Sequence, residues 1–307
     1  MRLDGIHHVT NITGNAPANV DFYAGTLGLR MVKKTVNQDD PTVYHLFYAD
    51  EKGSAGADIT FFEYPGSDPG RAGAGMVHTI IWRVASTEAL DFWAERLAAH
   101  GVETTRDGDT LRFADPERLR HELVVATVPD QPLIADHPEI PHEVALQGFE
   151  GVRAYARDPE ARTEPLLAAL GFERTTDGWD TRGDSRGGWI RYEPAPGEPG
   201  IPGAGTVHHV AWASTMDDHE AWRQRVIEAG GRPTPIIDRF WFRSIYFREP
   251  SGVLYEIATL GPGFATDEDP EHLGEKLILP PDFEHLRAKV EPLLTPITNP
   301  RESWIRT

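Results

Sequence analysis

Two stretches of ten residues, GAGMVHTIIW at 73–82 and GAGTVHHVAW at 203–212, align without a gap, and each follows a loop rich in glycine and proline. Internal repetition on this scale constrains a fold strongly, because the same local structure is built more than once and one small unit cannot bury its apolar face alone. The match extends to the far ends of the same units, where DPERLRHELV at 115–124 lies over EPSGVLYEIA at 249–258. Between those ends each unit carries a helical segment with a glycine stop, STEALDFWAERLAAHGVE at 86–103 and DDHEAWRQRVIEAGGRP at 217–233. Ser86 or Thr87 and Asp217 are the expected N-caps, and Gly101 and Gly230 the expected left-handed stops.

The same plan recurs twice more. One unit opens on GIHHVTNIT, continues with a helix NVDFYAGTLGL and then strands that include YHLFYAD and ADITFFEYP. The third runs GVRAYARD, a helix EARTEPLLAALGF, then GWDTRGD and GWIRYEP. Four units of strand, helix and about three further strands therefore fill residues 3–262 and predict an α+β fold of paired modules, each pair closing a curved sheet over a cavity. The expected divisions are 1–70, 71–145, 146–200 and 201–262 for the modules, with 263–307 as a covering loop and helix.

Zero cysteines in 307 residues exclude disulfides, thiolate nucleophiles, iron–sulfur clusters and zinc–thiolate sites, so any metal is held by His, Asp or Glu. Thirty basic against forty-eight acidic residues give a net charge of -18, which argues against a nucleic-acid partner. No apolar run is long enough to span a bilayer, and MRLDGIHHVT lacks the regions of a signal peptide, so a cytoplasmic protein without a membrane partner is expected. Homo-oligomer formation stays open.

Superposing the units separates the histidines. The first position of the pair is filled by His7, His78 and His208, whereas the second is filled only by His8 and His209, in the first and fourth units. In a regular strand adjacent side chains point to opposite faces, so His7 and His208 are expected to face away from His8 and His209. Glu63, Glu122, Glu193 and Glu256 all fall near unit ends, a pattern that duplication or a charged strand edge also leaves. Two imidazoles and one carboxylate, His8, His209 and Glu256, make the ligand set of a non-haem iron site with open positions. A satisfied core imidazole is the plain alternative for any one of them. Ligands that share one ion lie within about 2–2.5 Å of it, so units one and four are expected to pair, leaving two and three as the other pair.

GIHHVT with YHLFYAD, then TVHHVAW, SGVLYEIAT and HLGEKLILPP, resembles the vicinal oxygen chelate superfamily, in particular its ring-cleaving dioxygenase branch that acts on hydroquinones. The resemblance covers essentially the whole chain. It implies Fe(II), or Mn(II), held by His8, His209 and Glu256, with a small aromatic diol and O2 as partners and no organic cofactor. It also implies substrate-facing roles for Tyr246 and Arg239, in RFWFRSIYFREP, and supporting roles for His7, Thr10 and His208. Phe240, Trp241 and Phe242 in that segment suit the walls of a planar anion's pocket. Two other readings keep the fold: a glyoxalase-like isomerase or lyase with Glu63 as a fourth ligand, and a module that binds a small molecule without turnover.

Overall fold

The computed structural model describes residues 1–158, 164–302 and 304. Four groups of four strands follow one another. The first group is β1 (Ile6–Thr13), β2 (Arg30–Asn37), β3 (Asp40–Ala49) and β4 (Asp58–Glu63). The second is β5 (Met76–Val84), β6 (Thr105–Asp107), β7 (Thr110–Ala114) and β8 (Arg120–Val125). The third is β9 (Phe149–Ala156), β10 (Glu173–Arg174), β11 (Trp179–Arg182) and β12 (Gly187–Pro194). The fourth is β13 (Thr206–Ser214), β14 (Ile237–Asp238), β15 (Arg243–Arg248) and β16 (Leu254–Thr259).

These strands form two eight-stranded mixed sheets, ordered β14-β15-β16-β13-β1-β4-β3-β2 and β10-β11-β12-β9-β5-β8-β7-β6. The first and fourth groups share one sheet and the second and third the other, the interleaved pairing that a common ligand set demands. Both junctions, β1 with β13 and β5 with β9, are antiparallel.

Helices follow the first strand of each group. α1 (Ala16–Val20) runs into a wider π-helical turn over Asp21–Thr26, and α2 (Thr87–Ala99) is capped by Ser86, whose hydroxyl accepts from Ala89 N at 3.3 Å. α3 (Glu164–Ala169) is the described part of the third expected helix; residues 160–163 lie outside the described residues. In α4 (His219–Glu228) the N-cap position is Asp218 rather than Asp217, and its side chain makes no capping bond. Gly101 and Gly230 take the left-handed conformation expected of stops. The expected C-terminal helix is a single turn, α5 (Arg287–Val290), among 3₁₀ turns.

Alternation sorts the strands of the first sheet into two environments. Val9, Val210, Trp212, Tyr255 and Ile257 join the main apolar core, which also takes Trp93 and Leu97 from α2 and Trp222 from α4. The intervening side chains, His8, Thr10, His209 and Glu256, face the concave side, where a smaller apolar cluster of Phe47, Ala211, Trp241, Phe242 and Phe264 closes around them. Among the described residues no helix is long and apolar enough to cross a membrane.

The repeated GAG turns enter β5 and β13 through Gly75 (φ +82°) and Gly205 (φ +78°). A Cβ on Gly205 would lie 1.9 Å from the Glu117 carbonyl oxygen, so backbone handedness and space both require glycine. Gly205→Ala is expected to cost about 1–3 kcal/mol, seen as a lowered urea midpoint with an unchanged slope.

Candidate metal centre

The β1–β13 ladder is interrupted at two points. Ile6 faces Trp212 and His8 faces Ala211, which leaves His7 as an extra residue; Thr10 faces His209 and Asn11 faces Val207, which leaves His208 extra. These are β-bulges, and they overturn the expectation that adjacent histidines point apart, because a bulged residue turns toward the side of its successor. His7 Nδ1 lies 2.9 Å from His8 Nδ1, and His208 Nδ1 lies 2.8 Å from His209 Nδ1.

Register then brings three donor atoms together. His8, Ala211 and Glu256 lie in one row across β1, β13 and β16, and the small Ala211 between the other two leaves room for them to meet. His8 Nε2 is 3.1 Å and His209 Nε2 2.9 Å from Glu256 Oε2, and the two nitrogens are 3.3 Å apart. Ligands at cis positions of an octahedral ion, each about 2.1 Å from it, lie about 3 Å apart, so this triangle has the dimensions of one octahedral face. All three residues are buried, with Glu256 fully inaccessible.

Proton positions follow from a single backbone group. His7 Nε2 is 3.1 Å from the Thr259 carbonyl, which only accepts, so His7 carries its proton there and its Nδ1 is a lone pair. His8 Nδ1–H therefore donates to His7, and the lone pair of His8 Nε2 faces the Glu256 carboxylate. Two acceptors in contact repel unless a cation lies between them or the imidazole gains a second proton. The donor set therefore fits a cation. Burial by itself would raise the Glu256 carboxyl; positive charge at the His8 and His209 positions, carried by protons or by a cation in their place, holds it well below the usual carboxylate range. Burial and the neighbouring His8 push His7 down to about 3, and burial with His209 does the same to His208. Ser244 Oγ donates to the other carboxylate oxygen, Glu256 Oε1, and fixes its rotation.

The remaining expected residues surround the triangle. Tyr246 faces Glu256 across β15 and β16, its ring 5.6 Å from that of His209, and burial followed by the Glu256 charge pushes its pKa well up. Arg239 Nε is 3.4 Å from the Tyr246 hydroxyl, and its other nitrogens reach Asp39 at 2.9 and 3.2 Å. Phe240 beside it takes the left-handed conformation (φ +74°), a strained turn that sets Arg239, Trp241 and Phe242 on the cavity wall. Thr10 faces His209 across the ladder and accepts from Thr60.

Glu63 is not in this cavity: its carboxylate accepts from Ala16 N at 3.0 Å, at the start of α1. The local twofold that exchanges β1 and β13 sends Glu256, opposite Ala211, onto Thr60, opposite Thr10. A hydroxyl thus occupies the position a fourth ligand would need.

Besides Asn37, Gln38, Asp39 and Thr60, three polar residues of the site were not singled out from sequence. Ser244 is one, and His45, on the concave face of β3, is another. The third, Asp58, is buried opposite His8 with neither oxygen hydrogen-bonded, and burial raises its pKa well above the usual range. Alternation along YHLFYAD places His45 and Phe47 on one face; nothing local marks that face as the cavity. A wider surface cleft of about 790 Å³, lined in part by Asp21, His100 and Glu139, shares no lining residue with this cavity.

The second sheet repeats the layout without the ligands. There the bulges fall at His78 and Glu150, which shifts the third unit's match to GIHHVT from GVRAYA to GFEGVR. Gly151 takes the place of His8 and the Trp189 ring fills its space, Thr79 replaces His209, and Glu122 keeps the position of Glu256. Arg112 and Arg153 donate to Glu122 at 3.0 and 3.2 Å, so guanidinium groups neutralise it. Among the described residues, both groupings able to hold a metal contain His8.

The sequence matches the model of the glyoxalase/bleomycin resistance protein/dioxygenase superfamily over residues 5–123 and 152–257. The chain belongs to this superfamily. It is 39% identical over 309 residues to MhqO of Bacillus subtilis (strain 168), which is named as a ring-cleaving dioxygenase, covering 95% of this chain and 96% of that one. It is 32% identical to the chlorohydroquinone/hydroquinone 1,2-dioxygenase of Sphingobium indicum, covering 94% and 95%. A crystal structure titled as a dioxygenase from Bacillus subtilis superposes with a TM-score of 0.90 at 39% identity, covering 97% of this chain and 98% of that chain. Glyoxalase I from Zea mays, with a TM-score of 0.56, 16% identity and coverage of 83% and 92%, shares the fold.

The segment after β16 packs against β2 and Trp241. Lys33, fully buried on β2, donates to Asp267 Oδ1 at 2.8 Å, to Glu268 and to the Phe264 carbonyl, and lies 4.9 Å from the centre of the Trp241 ring. Lys33→Met leaves two carboxylates facing a dry wall and is expected to cost about 3 kcal/mol; limited proteolysis should then cut within 263–280 faster than in the parent chain.

Proposed function

We propose that this chain is a metal-dependent ring-cleaving dioxygenase of hydroquinone-type aromatic diols, with non-haem Fe(II), or Mn(II), held by His8, His209 and Glu256. The observation that carries the reading is the buried triangle of three acceptor atoms 2.9–3.3 Å apart, with a threonine where a fourth ligand would sit. Three protein ligands leave open positions for both a diol oxygen and O2. The relatives named as ring-cleaving enzymes, at 32–39% identity over nearly the whole chain, support the same chemistry.

Bound there, the metal supplies Lewis acidity toward the diol and a route for electrons to oxygen. The side chains do the rest. Tyr246 keeps its proton at neutral pH and can donate it in a hydrogen bond to an oxygen that gains negative charge. Arg239 places a positive charge beside that phenol and suits an ionised diol. Trp241, Phe242, Phe47 and Phe62 form the walls of the cavity and exclude water from it. His7 and His208 hold His8 and His209 with their Nε2 atoms directed at the centre. The isomerase reading loses its fourth ligand, because Glu63 lies at the start of α1.

Metal analysis of the iron-loaded protein is expected to give one ion per chain. His8→Ala, His209→Ala and Glu256→Ala should each lower metal affinity by at least about a hundredfold, whereas Glu63→Ala retains it. Ala211→Val keeps all three ligands but wedges His8 from Glu256, and about a tenfold loss is expected. Oxygen uptake on admitting air to the anaerobic Fe(II) protein with hydroquinone, chlorohydroquinone or catechol tests the reaction itself; no uptake with any of them overturns it.

A further inference from the structure

We propose that His45 is a specificity residue of the diol pocket, its Nδ1 accepting a hydrogen bond from the second hydroxyl of a para-diol whose first hydroxyl sits at the His8–His209–Glu256 face. The orientation of the ring rests on the dioxygenase reading.

The geometry comes from the sheet order. Glu256, His209 and His8 occupy β16, β13 and β1, and His45 stands on β3, two strands beyond His8 on the opposite side from Glu256. All but Glu256 line one cavity, and the curl of the sheet makes β3 its far wall. His45 Nε2 is 2.9 Å from Thr60 Oγ1, and Thr60 donates its hydroxyl proton to Thr10 Oγ1 at 2.9 Å. With that proton committed, Thr60 accepts from His45 Nε2–H, and the other ring nitrogen keeps a lone pair. Among the described residues that nitrogen has no hydrogen-bond partner. Phe47 and Phe62, with ring centres 3.9 and 4.4 Å away, hold the imidazole in place. Burial first, and then the nearby Arg239, lower its pKa below the usual imidazole range.

Neighbouring polar groups on the same rim are already engaged. Gln38 donates to the Arg239 carbonyl at 2.9 Å, Asp39 pairs with the Arg239 guanidinium, and Asn37 accepts from Asp39 N at 2.9 Å. His45 is thus an uncommitted acceptor on the wall facing the ligand triangle. An ortho-diol directs both oxygens toward that triangle and presents only C–H to His45, whereas a para-diol carries its second hydroxyl on the opposite edge of the ring. A site built to accept a hydroxyl proton discriminates against a ring that lacks it.

The test is a cycle of anaerobic binding titrations on the metal-loaded protein with hydroquinone, phenol and catechol. The parent chain is expected to bind hydroquinone about tenfold more tightly than phenol, one hydrogen bond's worth. His45→Phe keeps the aromatic packing and should reduce that preference to about twofold or less while leaving catechol affinity within about twofold. His45→Asn, whose side-chain oxygen can stand near the Nδ1 position, should restore part of the preference. No preference in the parent chain, a preference that persists in His45→Phe, or an equal loss for hydroquinone and catechol each overturns the assignment. Failure of the reaction is separable: a preference lost in His45→Phe without oxygen uptake overturns the dioxygenase reading and leaves His45 in place, whereas uptake with the preference unmoved overturns His45 alone.

Discussion

The antiparallel contact between β1 and β13 is the interaction on which the site depends. It joins the first and last of four similar units, and its register sets His8 diagonally across from His209 with Glu256 one strand further on. A slip of β1 by one residue would send His8 into the apolar core and bring Val9 to the cavity, away from His209 and Glu256. The two bulges pin that register. They also place a second imidazole behind each of His8 and His209, where a regular ladder would have pointed it to the other face.

What results is a buried cluster of acceptors held against its own repulsion. A carboxylate and two imidazole nitrogens meet in a wall from which water is almost absent, and the Thr259 carbonyl, acting through His7, dictates which nitrogen of His8 is bare. Folding tolerates the arrangement because the rest of the concave face is closed tightly: Lys33 fastens the C-terminal segment, and Trp241 donates to Asp267 at 3.0 Å. The second sheet shows the other resolution of the same problem. Glu122, in the position of Glu256, is neutralised by two arginines and needs no ion.

The repeat and the α+β class were legible in the sequence because each rests on a pattern that survives duplication, GAG turns, glycine helix stops and alternation; the unit pairing was legible from the ligand set that the first and fourth units share. His8 and His209 stood out as departures from that pattern, whereas Glu256 did not, since Glu63, Glu122 and Glu193 share its place near a unit end. Bulges were not legible, since an extra residue in a strand leaves no mark on local composition. Glu63, like Glu256, falls near the end of its unit, but it is the last residue of β4 and accepts from Ala16 N, whereas Glu256 is the third residue of β16. His45 and Ser244 sit on strands whose faces are decided only when β3 and β15 take their places in the sheet.

Interleaving carries a consequence for how the chain reaches its native state. The two middle units can pair through segments close in sequence, but His8 and Glu256 are 248 residues apart, and bringing such distant points together costs about 5 kcal/mol of chain entropy before any contact rewards it. The site is therefore among the last features to assemble, because Glu256 emerges from synthesis long after His8. A chain interrupted between β12 and β16 has every strand of the second sheet and no ligand triangle. Ion capture at the proposed triangle would thus record that the chain has been made through β16 and its first sheet closed.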